Sequence, residues 1–209
     1  MSKTLYIASG NAHKVGELQN TFKDFGFEVF GLSDLTNYVS PEETEITFAG
    51  NAILKAQSLQ NFFRQHQIAI PYILADDSGL VCEDLNGAPG IYSARFAGPD
   101  ATDSENNTKL ITTLKALPNP TLQVQYICSL AWLPPSGPVV VFEANCKGKI
   151  IFEPKGEKGF GYDPHMWIES LQKTFAELTP AEKNQISHRG LALLKLIQHL
   201  QNELENKHG

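Results

Sequence analysis

A chain of 209 residues, 42% hydrophobic and 19% charged, buries a sizeable core and reads as a single domain of two lobes with no clear linker. A formal net charge of -6 excludes the basic face of a general nucleic-acid binder, though not a local nucleotide pocket. Cys82, Cys128 and Cys146 are widely spaced with no CxxC pair, which excludes a disulfide framework or zinc site and points to reduced thiols. No signal peptide opens the chain and no apolar run nears the roughly 20 residues of a membrane helix, so a cytoplasmic protein with no membrane and no nucleic-acid partner is expected.

The first strand is Thr4 to Ala8, and SGN turns the chain into an amphipathic helix over about 12–25, with Val15, Leu18, Phe22 and Phe25 at helical spacing. Phe27 to Phe30 predicts a second strand, and the polar SDLTNYVSPEETE a loop. Phe48, Ala52, Ala56, Leu59 and Phe63 outline a long second helix; Ile68 to Ala75 predicts a strand, broken near its start by Pro71 and ended by Asp76 and Asp77, with Ser78 and Gly79 opening a turn. Residues 102–117 carry Leu110, Leu114 and Leu117 on one helical face. Gln123 to Leu133 and Val139 to Cys146 flank PPSGP and predict an antiparallel hairpin, with a short strand at Lys149 to Phe152. Thr179-Pro180-Ala181-Glu182 is a capping box that starts the last helical region, running to about Leu204. The order gives an α/β chain with a mixed sheet and no sharp internal boundary.

Several stretches carry chemistry. SGNAHK, Ser9 to Lys14, follows a strand and opens a helix: small residues admit an anion to backbone N–H groups, and Lys14 adds charge, though no Walker A sequence is present. Successive strand side chains point to opposite faces, so Asp76 and Asp77 do not act as a pair. A single carboxylate facing phosphates suits Mg²⁺, with PEET, Pro41 to Thr44, as the source of a second acid or as a plain solvated turn. GEKGFGYDP sets Phe160 and Tyr162 in a glycine-rich loop, for stacking on a planar ligand or for core packing. Lys183, His188 and Arg189 group three donors within seven residues, and positive charge at a helix start runs against the macrodipole.

SGNAHK, TFAGNAILKA, ADDSGL, GAPGIYSARFAG, GFGYDP and SHRG, in this order, together resemble the noncanonical purine nucleoside triphosphate pyrophosphatases, the inosine/xanthosine triphosphate pyrophosphatase family. The resemblance spans almost the whole chain. It implies an elongated two-lobed α/β fold with a central mixed β-sheet flanked by helices, a substrate cleft between lobes, and a homodimer. It implies Mg²⁺-dependent hydrolysis of ITP, dITP and XTP to the monophosphate and pyrophosphate. Carried over by motif, Ser9, Gly10, Asn11, Ala12, His13 and Lys14 bind the triphosphate, with Lys55 as a further phosphate contact. Asp77 is the catalytic carboxylate and a metal ligand, joined at the metal by a PEET glutamate, Glu42 first and Glu43 second. Ser78 contacts substrate; Phe160, Gly161, Tyr162 and Asp163 hold the nucleoside; Lys183, His188 and Arg189 read the base. The chain departs from the family in having Gly50 where an acid usually precedes Asn51, and Glu45 where glycine is frequent. Two rival readings are a pyrophosphatase for other modified nucleotides on a related fold and a nucleotide-sensing module that does not hydrolyse.

Overall fold

The computed structural model describes residues 3–23 and 25–205. The side chains of Ala12, His13, Lys14 and Leu204, and the expectations placed on them, lie outside the described residues.

The elements in chain order are β1 (Lys3–Ala8), α1 (Ala12–Lys23), β2 (Phe27–Gly31), α2 (Phe48–Gln65), β3 (Tyr72–Cys82), α3 (Asp103–Lys115), β4 (Gln123–Leu133), β5 (Val140–Ile150), β6 (Met166–Ile168), β7 (Lys173–Thr174), α4 (Pro180–Ile186) and α5 (His188–Glu205). The strands form an open seven-stranded sheet in the order β2-β1-β3-β4-β5-β6-β7. It is mixed: β1 runs parallel to β2 and to β3, and β6 runs antiparallel to β5 and to β7.

The chain divides into two compact units. The first comprises Met1–Asp77, Ser129–Glu143 and Lys195–Gly209, the second Ser78–Cys128 and Ala144–Leu194. In the first, α2 buries Phe48, Ala52, Ala56, Leu59 and Phe63 along one stripe, the 3.6-residue periodicity that drives a helix onto a core. Of these, Ala52, Ala56, Leu59 and Phe63 pack with Ala8, Ile73, Ala75, Ala131 and Leu133. Thr47 starts the helix by accepting a hydrogen bond from Gly50 N. An aromatic cluster completes this core, with Trp132 stacked on Phe22 at 6.0 Å and on Tyr72 at 5.2 Å between centroids. In the second unit, Leu110, Ile111 and Leu114 of α3 pack with Leu80, Val124, Tyr126, Ile150, Met166 and Phe175. The capping box at Thr179 forms as the sequence predicts. The Thr179 N–H leads the bonds that pull the Glu182 carboxyl down to about 2.

Four strands differ from expectation. β3 starts after Pro71 and runs through Asp76, Asp77, Ser78 and Gly79 to Cys82, so the two acids lie inside a strand and no turn begins at Ser78. Gly79 belongs there because a Cβ would land on the Ser93 side chain and the Gly90 carbonyl. β5 is one strand to Ile150, not two short ones, and the two- and three-residue strands β6 and β7 were not expected.

Candidate active site

In the first unit, Lys55 projects from α2 and meets two carboxylates. Its ammonium lies 2.9 Å from Asp77 Oδ1 and 3.0 Å from Glu43 Oε1. Burial works against the Lys55 charge, but Asp77 and then Glu43 outweigh it, and the pKa is raised above the ordinary 10.5. The PEET loop is tied to α2 where Asn51, fully buried, accepts a hydrogen bond from Glu45 N at 3.0 Å. Glu42 is exposed, and the glutamate that reaches Lys55 is Glu43. In an extended loop adjacent side chains diverge, so one of the pair is presented to Lys55 and the other is not. Asp76 is buried beside Asp77 in β3 and its side chain leaves the opposite face of the strand.

The loop after β1 is shaped by short bonds of its own. Ser9 N donates to Ile7 O, Asn11 N donates to Ser9 Oγ at 3.2 Å, and Val15 N donates to Asn11 O as α1 begins. Gly10 has no left-handed φ, and a Cβ there would meet nothing within 4 Å. The fold itself therefore does not require glycine at this position.

Among the described residues no group of three or more His, Cys, Asp and Glu forms a metal cage. Asp77 and Glu43 nevertheless converge on one cation, the Lys55 ammonium. Mg²⁺ takes one or two protein carboxylates and fills its shell with water and phosphate oxygens, so this donor set fits it.

In the second unit, Asp163 is the hub. Its Oδ2 accepts hydrogen bonds from Lys183 Nζ at 2.6 Å and from Phe160 N at 3.0 Å, and Gly159 is glycine because a Cβ would collide with that same carboxylate. Lys183 Nζ and the Arg189 guanidinium stand 4.9 and 5.7 Å from the Phe160 ring centroid. Arg189 Nη2 also donates to Ser78 Oγ at 3.1 Å. Ser187, extended at φ -72 and ψ 153, separates α4 from α5. Gly190 lets the new helix start directly against the Asn184 carbonyl, where a Cβ has no room. Across this bend Lys183 and Arg189 approach the same ring. His188 stacks on Tyr126 instead, at 4.6 Å between centroids. Tyr162 is buried in the core with its hydroxyl donating to Ser93 O at 2.8 Å. It takes the core-packing alternative, and only its backbone is left to meet a ligand. Gly161 is pinned by α3: its N–H donates to Asp103 Oδ2 at 2.6 Å and its carbonyl accepts from Asn107 Nδ2 at 2.8 Å. A groove of about 560 Å³ lies along this loop, lined by Asp103, Asn107, Phe152, Lys158, Phe160 and His165.

Sequence reasoning missed Tyr126, Asp103 and Asn107. A tyrosine in an alternating strand reads as core, and the first turn of a helix reads as capping. Only the fold brings them to the GFGYDP loop.

Known proteins resemble this chain along nearly its full length. The profile of the Ham1 family matches residues 5–199. A dITP/XTP pyrophosphatase of Shigella flexneri is 46% identical over 94% of this chain and 97% of that protein, and one of Clostridium perfringens is 40% identical over 97% and 100%. The solved Ham1 protein of Staphylococcus aureus superposes with a TM-score of 0.84 at 37% identity, covering 96% of this chain and all 100% of that one. That of Coxiella burnetii gives 0.85 at 36%, covering 96% and 99%. By sequence and by fold, the chain belongs to the Ham1 family.

Proposed function

We propose that this protein is a nucleoside triphosphate pyrophosphatase that hydrolyses ITP, dITP and XTP to the monophosphate and pyrophosphate with Mg²⁺, as a cytoplasmic homodimer that clears deaminated purines from the nucleotide pool. The observation that carries the reading is the Lys55 ammonium held between Asp77 and Glu43, in a chain whose relatives are dITP/XTP pyrophosphatases.

Asp77 and Glu43 would hold Mg²⁺, which would supply charge neutralisation to the triphosphate and acidify water at the site. Asp77 accepts the proton of the attacking water as its oxygen joins the α-phosphorus. The bridging oxygen between the α- and β-phosphorus leaves with pyrophosphate, and Lys55 offsets the charge that develops there. Asp76, on the other face of β3, supports the strand. The loop Ser9 to Lys14 binds the phosphates through backbone N–H groups at the start of α1. Gly10, which the fold does not require, suits a backbone that a phosphate oxygen must approach closely.

The second unit reads the base. Hypoxanthine and xanthine carry an acceptor oxygen at position 6, whereas adenine carries an amine donor. Lys183 and Arg189, both gathered at Phe160, and His188 donate; adenine leaves these donors unpaired, and sites built on such bonds discriminate strongly. The test is hydrolysis of ITP, dITP, XTP, GTP and ATP with identification of products. Preferential release of monophosphate and pyrophosphate from the first three is expected. Release of orthophosphate, or equal rates with ATP, contradicts the reading.

A further inference from the structure

The donors assigned to the base are braced from the sheet by a residue that touches no substrate. We propose that Tyr126 is a positioning residue for base recognition: from β4 it fixes the Asp163 carboxylate with its hydroxyl and the His188 imidazole with its ring. The proposal rests on the substrate reading above and adds to it the element that orients its donors.

Tyr126 is buried, 7% exposed, and its hydroxyl makes two bonds. It accepts from Tyr162 N at 3.1 Å and donates to the Asp163 side chain. Consecutive residues of the GFGYDP loop are thereby held by one oxygen. Asp163 in turn carries Lys183 Nζ at 2.6 Å and Phe160 N at 3.0 Å. Loosening that carboxylate therefore loosens the lysine and the ring beside it. The Tyr126 ring is sandwiched, with His188 at 4.6 Å and 13° on one contact and Phe175 at 5.7 Å and 17° on the other.

The hydrophobic core does not ask for this hydroxyl. Tyr126 packs in an otherwise apolar cluster, where phenylalanine fills the same space and avoids desolvating a polar group. What the hydroxyl adds is the bond to Asp163 and the acceptor for Tyr162 N. Burial, and then the Asp163 charge, raise the phenol well above its usual range, so it remains an O–H donor wherever the enzyme works. The two parts of the side chain have separable tasks, the hydroxyl acting on Asp163 and Lys183 and the ring acting on His188.

The experiment compares wild type with Tyr126→Phe and Tyr126→Leu. It uses kcat/KM for ITP and for ATP, thermal melting, and the NMR shift of the His188 ring protons without nucleotide. In Tyr126→Phe both ring contacts are retained, and the melting temperature falls by only a few degrees, for the unpaired Tyr162 N–H. The kcat/KM for ITP is expected to fall about tenfold, the scale of one lost hydrogen bond to a charged group, chiefly through KM. ATP changes much less, so the ITP-to-ATP ratio drops. The upfield ring-current shift of His188 persists in Tyr126→Phe and is lost in Tyr126→Leu. A Tyr126→Phe enzyme that keeps the wild-type ratio, or loses ITP and ATP activity in parallel, overturns the positioning role and leaves the substrate reading standing. A wild-type enzyme that does not prefer ITP overturns the substrate reading and this inference with it. A His188 shift that ignores Tyr126→Leu overturns the ring's part whatever the kinetics show.

Discussion

Asp77 shares the Lys55 ammonium with Glu43, while Asp76, one residue earlier in β3, leaves the opposite face. Asp77→Asn is therefore expected to leave the fold intact and to lower kcat on the order of 10²–10⁴-fold, the usual worth of a positioned acid–base group. Asp76→Asn is expected to be milder in steady-state assays on folded protein, and the reverse ranking contradicts the assignment. Lys55 has a pH signature of its own. Its folded pKa lies above the ordinary 10.5, so its charge contributes stability in full below that value and loses it as pH rises through the folded value. In urea melts, the wild-type advantage over Lys55→Met is expected to hold at neutral pH and to shrink only above 10.5; an advantage that fades near neutrality contradicts the ion triad. The sequence made Asp77 and Lys55 legible because a strand acid and a helical lysine sit in distinctive motifs. Glu42 and Glu43 are chemically identical neighbours, and it is the loop's path that sets Glu43 against Lys55.

β3 shows where local propensity misleads. Asp, Ser and Gly are depleted in strands and enriched in turns, so ADDSGL reads as a strand end. The chain continues as strand to Cys82 because Leu80 and Cys82 are buried in the second unit's core. The absent Cβ of Gly79 also admits Ser93, whose hydroxyl accepts from Leu80 N at 2.8 Å. Gly79→Ala is expected to cost about 1–3 kcal/mol in urea melts, the usual overpacking penalty, and Ser93→Ala in the same chain to recover part of it. A neutral Gly79→Ala means that the strand is not pressed against Ser93. The start of α4 was better signalled, because a capping box with proline announced it. The strands β6 and β7 were not legible, since two or three residues hold no periodicity. Gly190→Ala would put a Cβ against the Asn184 carbonyl. It is expected to raise KM for ITP more than Gly190 contributes to melting temperature, because Lys183 and Arg189 stand on either side of the bend. Loss of stability with unchanged KM contradicts that reading.

At the scale of the molecule, the sequence shows no linker although the chain divides into two compact units. The divisions after Asp77, Cys128, Glu143 and Leu194 each fall inside a strand or helix, so no proline- or glycine-rich seam marks them. The mixed α/β class was legible from element order, because long periodic segments carry that information. The sheet order was not, because it depends on pairings between residues far apart in the chain. Nor does the net charge of -6 announce an anionic substrate. On the proposed reading that chemistry rests on placed cations such as Lys55 beside two acids, whose effect is local and invisible to a sum. The most direct test of the whole account is one reaction: an equimolar mixture of ITP and ATP hydrolysed in ¹⁸O-water, with products read by mass spectrometry. The account predicts rapid formation of IMP carrying one ¹⁸O, unlabelled pyrophosphate, and AMP lagging far behind. Label in pyrophosphate, orthophosphate as the first product, or AMP keeping pace with IMP would contradict it.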